Sequence, residues 1–237
     1  MTNDRKEDVR CFCCGETSEQ SVLSRSSQLG VRDIDLRSGM MPSTMGSWLQ
    51  ECPNCGYVAA DLAKGDERDR LFVQTEKYAA LCELPQFSRR SSRFLLRAAI
   101  ELAREDFERA FDSTLCAAGD ADDCNLSDIA RGLRKIASRY LAGRPLTVDL
   151  RVSLLDVLRR VSDWAAAAAL AVELMGENLG HPHAAIVCFQ LGRIEARDDR
   201  CYTLSQVLRS NHDPEASNDD AEHLEHVVHV LGRLKRR

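Results

Sequence analysis

A chain of 237 residues, 44% hydrophobic and 29% charged, holds enough apolar material for one large folded unit or a small one beside a large one. No stretch approaches the ~20 apolar residues of a membrane span; the longest, Trp164 to Val172, is nine residues and alanine-rich. The net charge is −5, with six Lys/Arg against eight Asp/Glu in residues 1–60 and 26 against 29 in the remainder, a balance that weighs against a nucleic-acid binder.

Residues 1–9 are expected to be a flexible N-terminus. Met1 to Asp8 is polar and lacks the apolar stretch of a secretory signal, which with ten cysteines points to a reducing cytoplasm. Two Cys-x-x-Cys-Gly units follow, Cys11-Phe12-Cys13-Cys14-Gly15 and Cys52-Pro53-Asn54-Cys55-Gly56, with 37 residues between Cys14 and Cys52. Two thiolates three positions apart reach one metal from a tight turn, and the glycine behind them tolerates the positive φ the turn needs. Two such knuckles supply a closed four-thiolate site, structural because it keeps no position open for water. The competing reading is a pair of redox dithiols. Cys13 is surplus, because only the Cys11/Cys14 register puts glycine directly after the second ligand.

Between the knuckles, Ser21–Ser24 and Val31–Arg37 are predicted as short strands, Ser38–Pro42 as a loop, and Tyr57–Ala60 as a strand or turn. Residues 10–64 thus form a zinc-ribbon domain, too small to bury an adequate core alone, so that metal binding supplies its folding free energy. From residue 65 to 237 the pattern is helical. Predicted helices cover Leu71–Leu84 up to Pro85, Phe87–Arg104, Asp106–Ala118 closed by Gly119, and a segment to Leu141 capped by Asn125 with Asp128. Thr147 is placed to cap a helix reaching Val161. Ser162-Asp163 opens Trp164–Met175, which is apolar nearly all round and expected to be central. Helices from Pro182, over Cys201–Leu208, and with Leu224, Val227, Val228, Leu231 and Leu234 on one face complete the series. Three junctions join an aspartate to an aromatic: Asp106-Phe107, Asp163-Trp164, and Asp199 with Tyr202. The fold class is therefore mostly α with a small β zinc ribbon, followed by a tetratricopeptide-like antiparallel helical array whose spacing is irregular. The array is expected to fold separately from the ribbon.

The stretch Asp33-Ile34-Asp35-Leu36-Arg37-Ser38-Gly39-Met40, then Ser43-Thr44-Met45, Trp48-Leu49-Gln50 and Cys52-Pro53-Asn54-Cys55-Gly56-Tyr57, resembles a bacterial family of unassigned function, domain of unknown function 2225. The resemblance is most specific over residues 10–61, and Phe12 departs from the proline usual after the first cysteine. It implies zinc at Cys11, Cys14, Cys52 and Cys55, and brings no reaction.

Other residues carry weaker signals. Asp33 and Asp35 share a strand face, as paired carboxylates for acid/base or metal work would, although a solvated face paired to Arg32 or Arg37 is the favoured explanation. His223, His226 and His229 recur every three residues, a step that rotates successive rings by about −60° around a helix, so an ordinary polar face suffices. Cys82, Cys116, Cys124, Cys188 and Cys201 are expected singly on helices as core residues. No nucleotide loop, nucleophile elbow or catalytic metal motif is present. The sequence thus describes a non-enzymatic cytoplasmic protein with one structural Zn2+ and a helical array that engages a protein partner. The alternatives are a nucleic-acid-associated regulator, marked by a basic face through Arg89, Arg90, Arg93 and Arg97, and an enzyme built on Asp33 and Asp35.

Overall fold

Each cysteine knuckle is the turn of an antiparallel hairpin. In the computed structural model, which describes residues 4–23, 45–83 and 88–210, strand β1 (Asp4–Arg10) pairs with β2 (Thr17–Leu23) in a register running from Asp4↔Leu23 to Arg10↔Thr17. The two-residue strands β3 (Gln50–Glu51) and β4 (Val58–Ala59) flank the second knuckle in the same way. The flexible terminus expected over residues 1–9 is corrected from Asp4 onward. A backbone ladder with β2 orders this polar segment, and Lys6 adds an ion pair to Glu19 at 2.6 Å. The strand predicted over Val31–Arg37, with Asp33 and Asp35, and the final helix, with His223, His226 and His229, lie outside the described residues.

The rest is helical: α1 (Glu67–Val73), α2 (Glu76–Cys82), α3 (Arg89–Ala103), α4 (Phe107–Asp123), α5 (Ser127–Tyr140), α6 (Val148–Arg160), α7 (Trp164–Met175), α8 (His183–Glu195) and α9 (Leu204–Ser210). From α3 onward each helix packs on the next, with α8 also against α6, giving the mostly α, successively antiparallel array. The helix predicted over Leu71–Leu84 is two short ones. Thr75 breaks it, because its hydroxyl donates to the Phe72 carbonyl at 2.7 Å and accepts from the Tyr78 amide, competing with helix propagation. Helix α4 continues through Gly119, which is buried among its neighbours and does not act as a stop. Asn125 does not cap α5. It takes φ 59° instead, and Leu126 occupies the cap position without a side-chain bond.

Asn125 belongs to a device that recurs at four helix ends among the described residues. Glu105, Asn125, Ser162 and Arg197 all have positive φ. In each case the following amide bonds back five residues (Asp106 to Glu101, Leu126 to Ala121, Asp163 to Leu158, Asp198 to Arg193), which is the Schellman termination. At two of these ends the next residue is an aspartate that opens the following helix: Asp106 accepts from the Arg109 amide and Asp163 from the Ala166 amide, both at 3.2 Å. The third expected junction differs. Asp199 bonds Ser162 and Arg131 across the array, while its neighbour Asp198 takes the Arg200 amide and the Tyr202 hydroxyl.

Helix α7 is not central. Ala167, Ala171 and Leu174 are buried against α6 and α8, whereas Val172 is 37% exposed and Trp164 only half-buried. Its alanines allow close packing on one side and cost little where they face water. The remaining cysteines also depart from expectation. Cys82, Cys124, Cys188 and Cys201 are exposed and Cys116 is half-buried, with Cys124 and Cys201 beyond the helix bounds.

Among the described residues the ribbon has no core of its own. Cys11, Cys13, Cys52, Tyr57, Val58 and Leu62 pack with Val73 of α1, Tyr78 of α2, and Leu96 and Ile100 of α3 in a single cluster. Trp48, just before the second knuckle, stands edge-on to Phe94 of α3 in a second cluster shared with α4 and α5. The change at residue 64 is thus a change of sequence pattern that the packing crosses. A unit with so few apolar side chains has to borrow helical surface to bury them.

Candidate metal centre

The two hairpin turns repeat one another bond for bond. In the first, the Gly15 amide donates to the Cys11 carbonyl at 2.9 Å and the Cys11 amide to the Glu16 carbonyl at 2.8 Å. In the second, the Gly56 amide donates to the Cys52 carbonyl at 2.9 Å and the Cys52 amide to the Tyr57 carbonyl at 2.9 Å. Gly15 at φ 78° and Gly56 at φ 72° lie where a β-carbon is strained, which is why glycine follows the second cysteine of each turn.

These turns bring Cys11, Cys14, Cys52 and Cys55 together, with all four sulfurs within 4.8 Å of one another. Cys11 and Cys55 are 3.7 Å apart and Cys14 and Cys52 3.6 Å. A disulfide needs about 2.05 Å, so these are not bonded pairs. A tetrahedron of Zn–S bonds of about 2.3 Å has its sulfurs about 3.8 Å apart, so the donor set fits a tetrahedral metal. Cys13 stands outside this group and is buried among the apolar side chains of the shared cluster. Desolvation pushes its thiol pKa up to about 12 and burial also raises Cys11 and Cys55, so it is position and not titration that sets Cys13 apart from the four. At Cys14, burial opposes ionisation, yet hydrogen bonds from the Asn54 side chain and the Glu16 amide outweigh it and bring the thiol down to about 7. Cys14 is also the exposed member of the four, so it sits at the solvent edge of the centre.

The second knuckle is fastened to the helices by tyrosines. The Tyr78 hydroxyl donates to the Gly56 carbonyl at 2.7 Å, and the Tyr57 hydroxyl to Asp69 Oδ2 at 2.9 Å. Asp69, fully buried on the first turn of α1, accepts a two-pronged ion pair from Arg104 at the end of α3 and also caps the Asp66 amide. Burial alone would raise the Asp69 pKa, but the bonds from Arg104, the Asp66 amide and Tyr57 hold it below the usual carboxylate range. Asp69 and Arg104 are separated by 34 intervening residues and carry no motif, so nothing in the sequence marks them as a pair. Tyr57 stands beside the second knuckle, where the pattern predicts a short strand or turn and no link to Asp69.

Phe12, the departure from proline, docks the first knuckle. Its amide donates to the Leu62 carbonyl at 2.8 Å, and the Arg70 guanidinium lies 4.8 Å from the ring centroid. The ring lies so close to Gly65 that a β-carbon there would be 2.4 Å from Phe12 Cδ1. Gly65→Ala should therefore force the ring off its seat and lower stability by about 1–3 kcal/mol in urea unfolding. Double substitution with Phe12→Ala should recover part of that loss by removing the clash.

The four arginines expected as a basic face all lie against acids, three in number, with Arg89 and Arg93 sharing Glu51. Arg89 and Arg93 face Glu51 at 3.5 and 2.9 Å, Arg90 faces Asp120 at 3.2 Å, and Arg97 faces Glu101 at 2.8 Å. Fold and site together define a four-cysteine ribbon packed on a helical array. No family model, curated protein or solved structure matches the chain.

Proposed function

We propose that the chain is a non-enzymatic protein in which one structural Zn2+, held by Cys11, Cys14, Cys52 and Cys55, organises a helical array that serves as a protein-interaction scaffold. The observation carrying this reading is the four-cysteine cluster, of which Cys11, Cys52 and Cys55 pack into the core shared with α1, α2 and α3 while Cys14 faces solvent. Such a site offers four soft donors and no open position, as structural zinc sites do, and its free energy of metal binding becomes folding free energy. Iron also accepts four thiolates, so the identity of the metal is part of the proposal.

A nucleic-acid role receives less support, because the arginines that would form its contact face are matched by Glu51, Asp120 and Glu101. Among the described residues no helix is long and apolar enough to cross a membrane. We place the protein in the cytoplasm because a reducing compartment keeps a thiolate site intact. Membership in the family of domain of unknown function 2225 rests on the motif over residues 10–61.

Elemental analysis of purified protein should give one zinc per chain, retained in Cys13→Ser and lost in Cys52→Ser. Zinc lost from Cys13→Ser, or iron in its place, would overturn the assignment. The scaffold half needs a partner captured from native cells whose binding is abolished by substitutions on the exposed faces of α5 to α8.

A further inference from the structure

The two knuckles are alike in their own bonds and unlike in what holds them. The Gly56 carbonyl of the second accepts from a neutral group, Tyr78. The first is gripped by two cations. Arg10 Nε donates to the Gly15 carbonyl at 3.1 Å, and its Nη2 lies 3.5 Å from where a β-carbon on Gly15 would stand. Arg70 Nη2 donates to the Phe12 carbonyl at 3.0 Å while its guanidinium stacks on the Phe12 ring. Arg70 is itself oriented by Glu67 at 3.0 Å, one turn earlier on α1. Arg10, Arg70, Cys11 and Cys14 line one cleft of about 590 Å³, open to solvent beside the exposed Cys14.

We propose that Arg10 and Arg70 form a cationic clamp on the first knuckle that sets how tightly the metal is held. This rests on the metal-centre reading above. A divalent ion with four thiolates carries two net negative charges, and the thiolates repel one another before the metal arrives. Two guanidiniums at the rim of the centre offset that charge. Their bonds to the Phe12 and Gly15 carbonyls also fix the turn that aims Cys11 and Cys14, as outer-shell partners of metal ligands do. Because both arginines border the cleft beside Cys14, they stand where a chelator would reach the metal. Arg10 and Arg70 are positioning residues, acting through the thiolates without coordinating.

The test is competition for zinc between the protein and a chromogenic chelator, run on the full chain and on Arg10→Met, Arg70→Met, the double variant and Arg70→Lys. Methionine keeps much of the stem volume and removes the charge and its bonds. Each single variant should bind zinc about 10-fold more weakly, and the double variant up to about 100-fold. Arg70→Lys should recover part of the loss, and the deficit should narrow at about 1 M salt, where the Debye length is near 3 Å. Lys64→Met removes a positive charge from the ribbon at an exposed position, where among the described residues its ammonium pairs with Asp61, and should match the unmodified chain. Cobalt-loaded variants should keep the visible spectrum of a four-thiolate tetrahedron, which shows that folding and the ligand set survive. Affinities for Arg10→Met and Arg70→Met within two-fold of the unmodified chain would overturn the clamp, as would an equal loss in Lys64→Met. Failure of the unmodified chain to take up any metal would instead overturn the metal-centre reading, and the clamp with it.

Discussion

Replacing Cys52 and Cys55 by serine should cost the protein its metal and, with it, the packing of everything that rests on the ribbon. Metal binding to structural thiolate sites contributes on the order of 10–16 kcal/mol, which is larger than the net stability of most domains. The effect should not stop at the second knuckle. Leu96 and Ile100 on α3, Val73 on α1 and Tyr78 on α2 bury their apolar surface against Tyr57, Val58 and Leu62. Loss of the turn therefore exposes one face of α3 as well. The distal cluster of Val152, Leu155, Ala167, Ala171, Leu174 and Ile186 shares none of these residues and should persist. Urea unfolding followed by tryptophan fluorescence should then split: Trp48, seated on Phe94, should respond at low denaturant, and Trp164 only with the distal cluster. A single transition with both tryptophans moving together would mean that the distal helices depend on the metal too.

Asp69→Asn should be the most damaging substitution outside the cysteines. It leaves the partly buried Arg104, 16% exposed, without its carboxylate partner; breaking a fully buried pair costs about 3–5 kcal/mol, which sets the upper bound here. The same change should alter the response to acid. Asp69 is depressed in the folded state, so its contribution is fully present above the unfolded carboxylate value of about 3.9 and is lost as pH falls below it through the folded value. The stability gap between the unmodified chain and Asp69→Asn should hold steady from about pH 8 to 5, then narrow in more acidic solution. A gap that widened on acidification would mean that Asp69 is held protonated. The measurement belongs at matched metal occupancy, since protonation of the thiolates also releases the metal.

The parts of this molecule that sequence discloses are those whose cause is local. Cys-x-x-Cys-Gly carries its own turn geometry, so the four clustered cysteines could be named from spacing alone, and Thr147, Asp106 and Asp163 cap helices because a hydroxyl or carboxylate bonds an amide three residues on. Where the cause is distant, the pattern misleads. Gly119 looks like a helix stop but is accommodated within α4 by its neighbours. Glu105, Ser162 and Arg197 adopt a left-handed conformation that no glycine announces, and the Schellman bonds hold them there. The apolar run of α7 reads as a buried helix, yet alanine is tolerated on either side, so composition could not tell its faces apart. The junction between ribbon and helices depends on Tyr57 meeting Asp69 and Arg104, a contact between three segments that share no motif.

That junction is also where removal of the metal should be felt first. Site-resolved amide hydrogen exchange should be measured on the metal-loaded chain and again after chelation. Exchange should rise through residues 11–16 and 52–62 and, in step with them, at Val73, Tyr78, Leu96 and Ile100, while Ala171, Leu174 and Ile186 keep their protection. Unchanged protection at Leu96 and Ile100 after the metal is removed would contradict a shared core and leave the ribbon as an appendage.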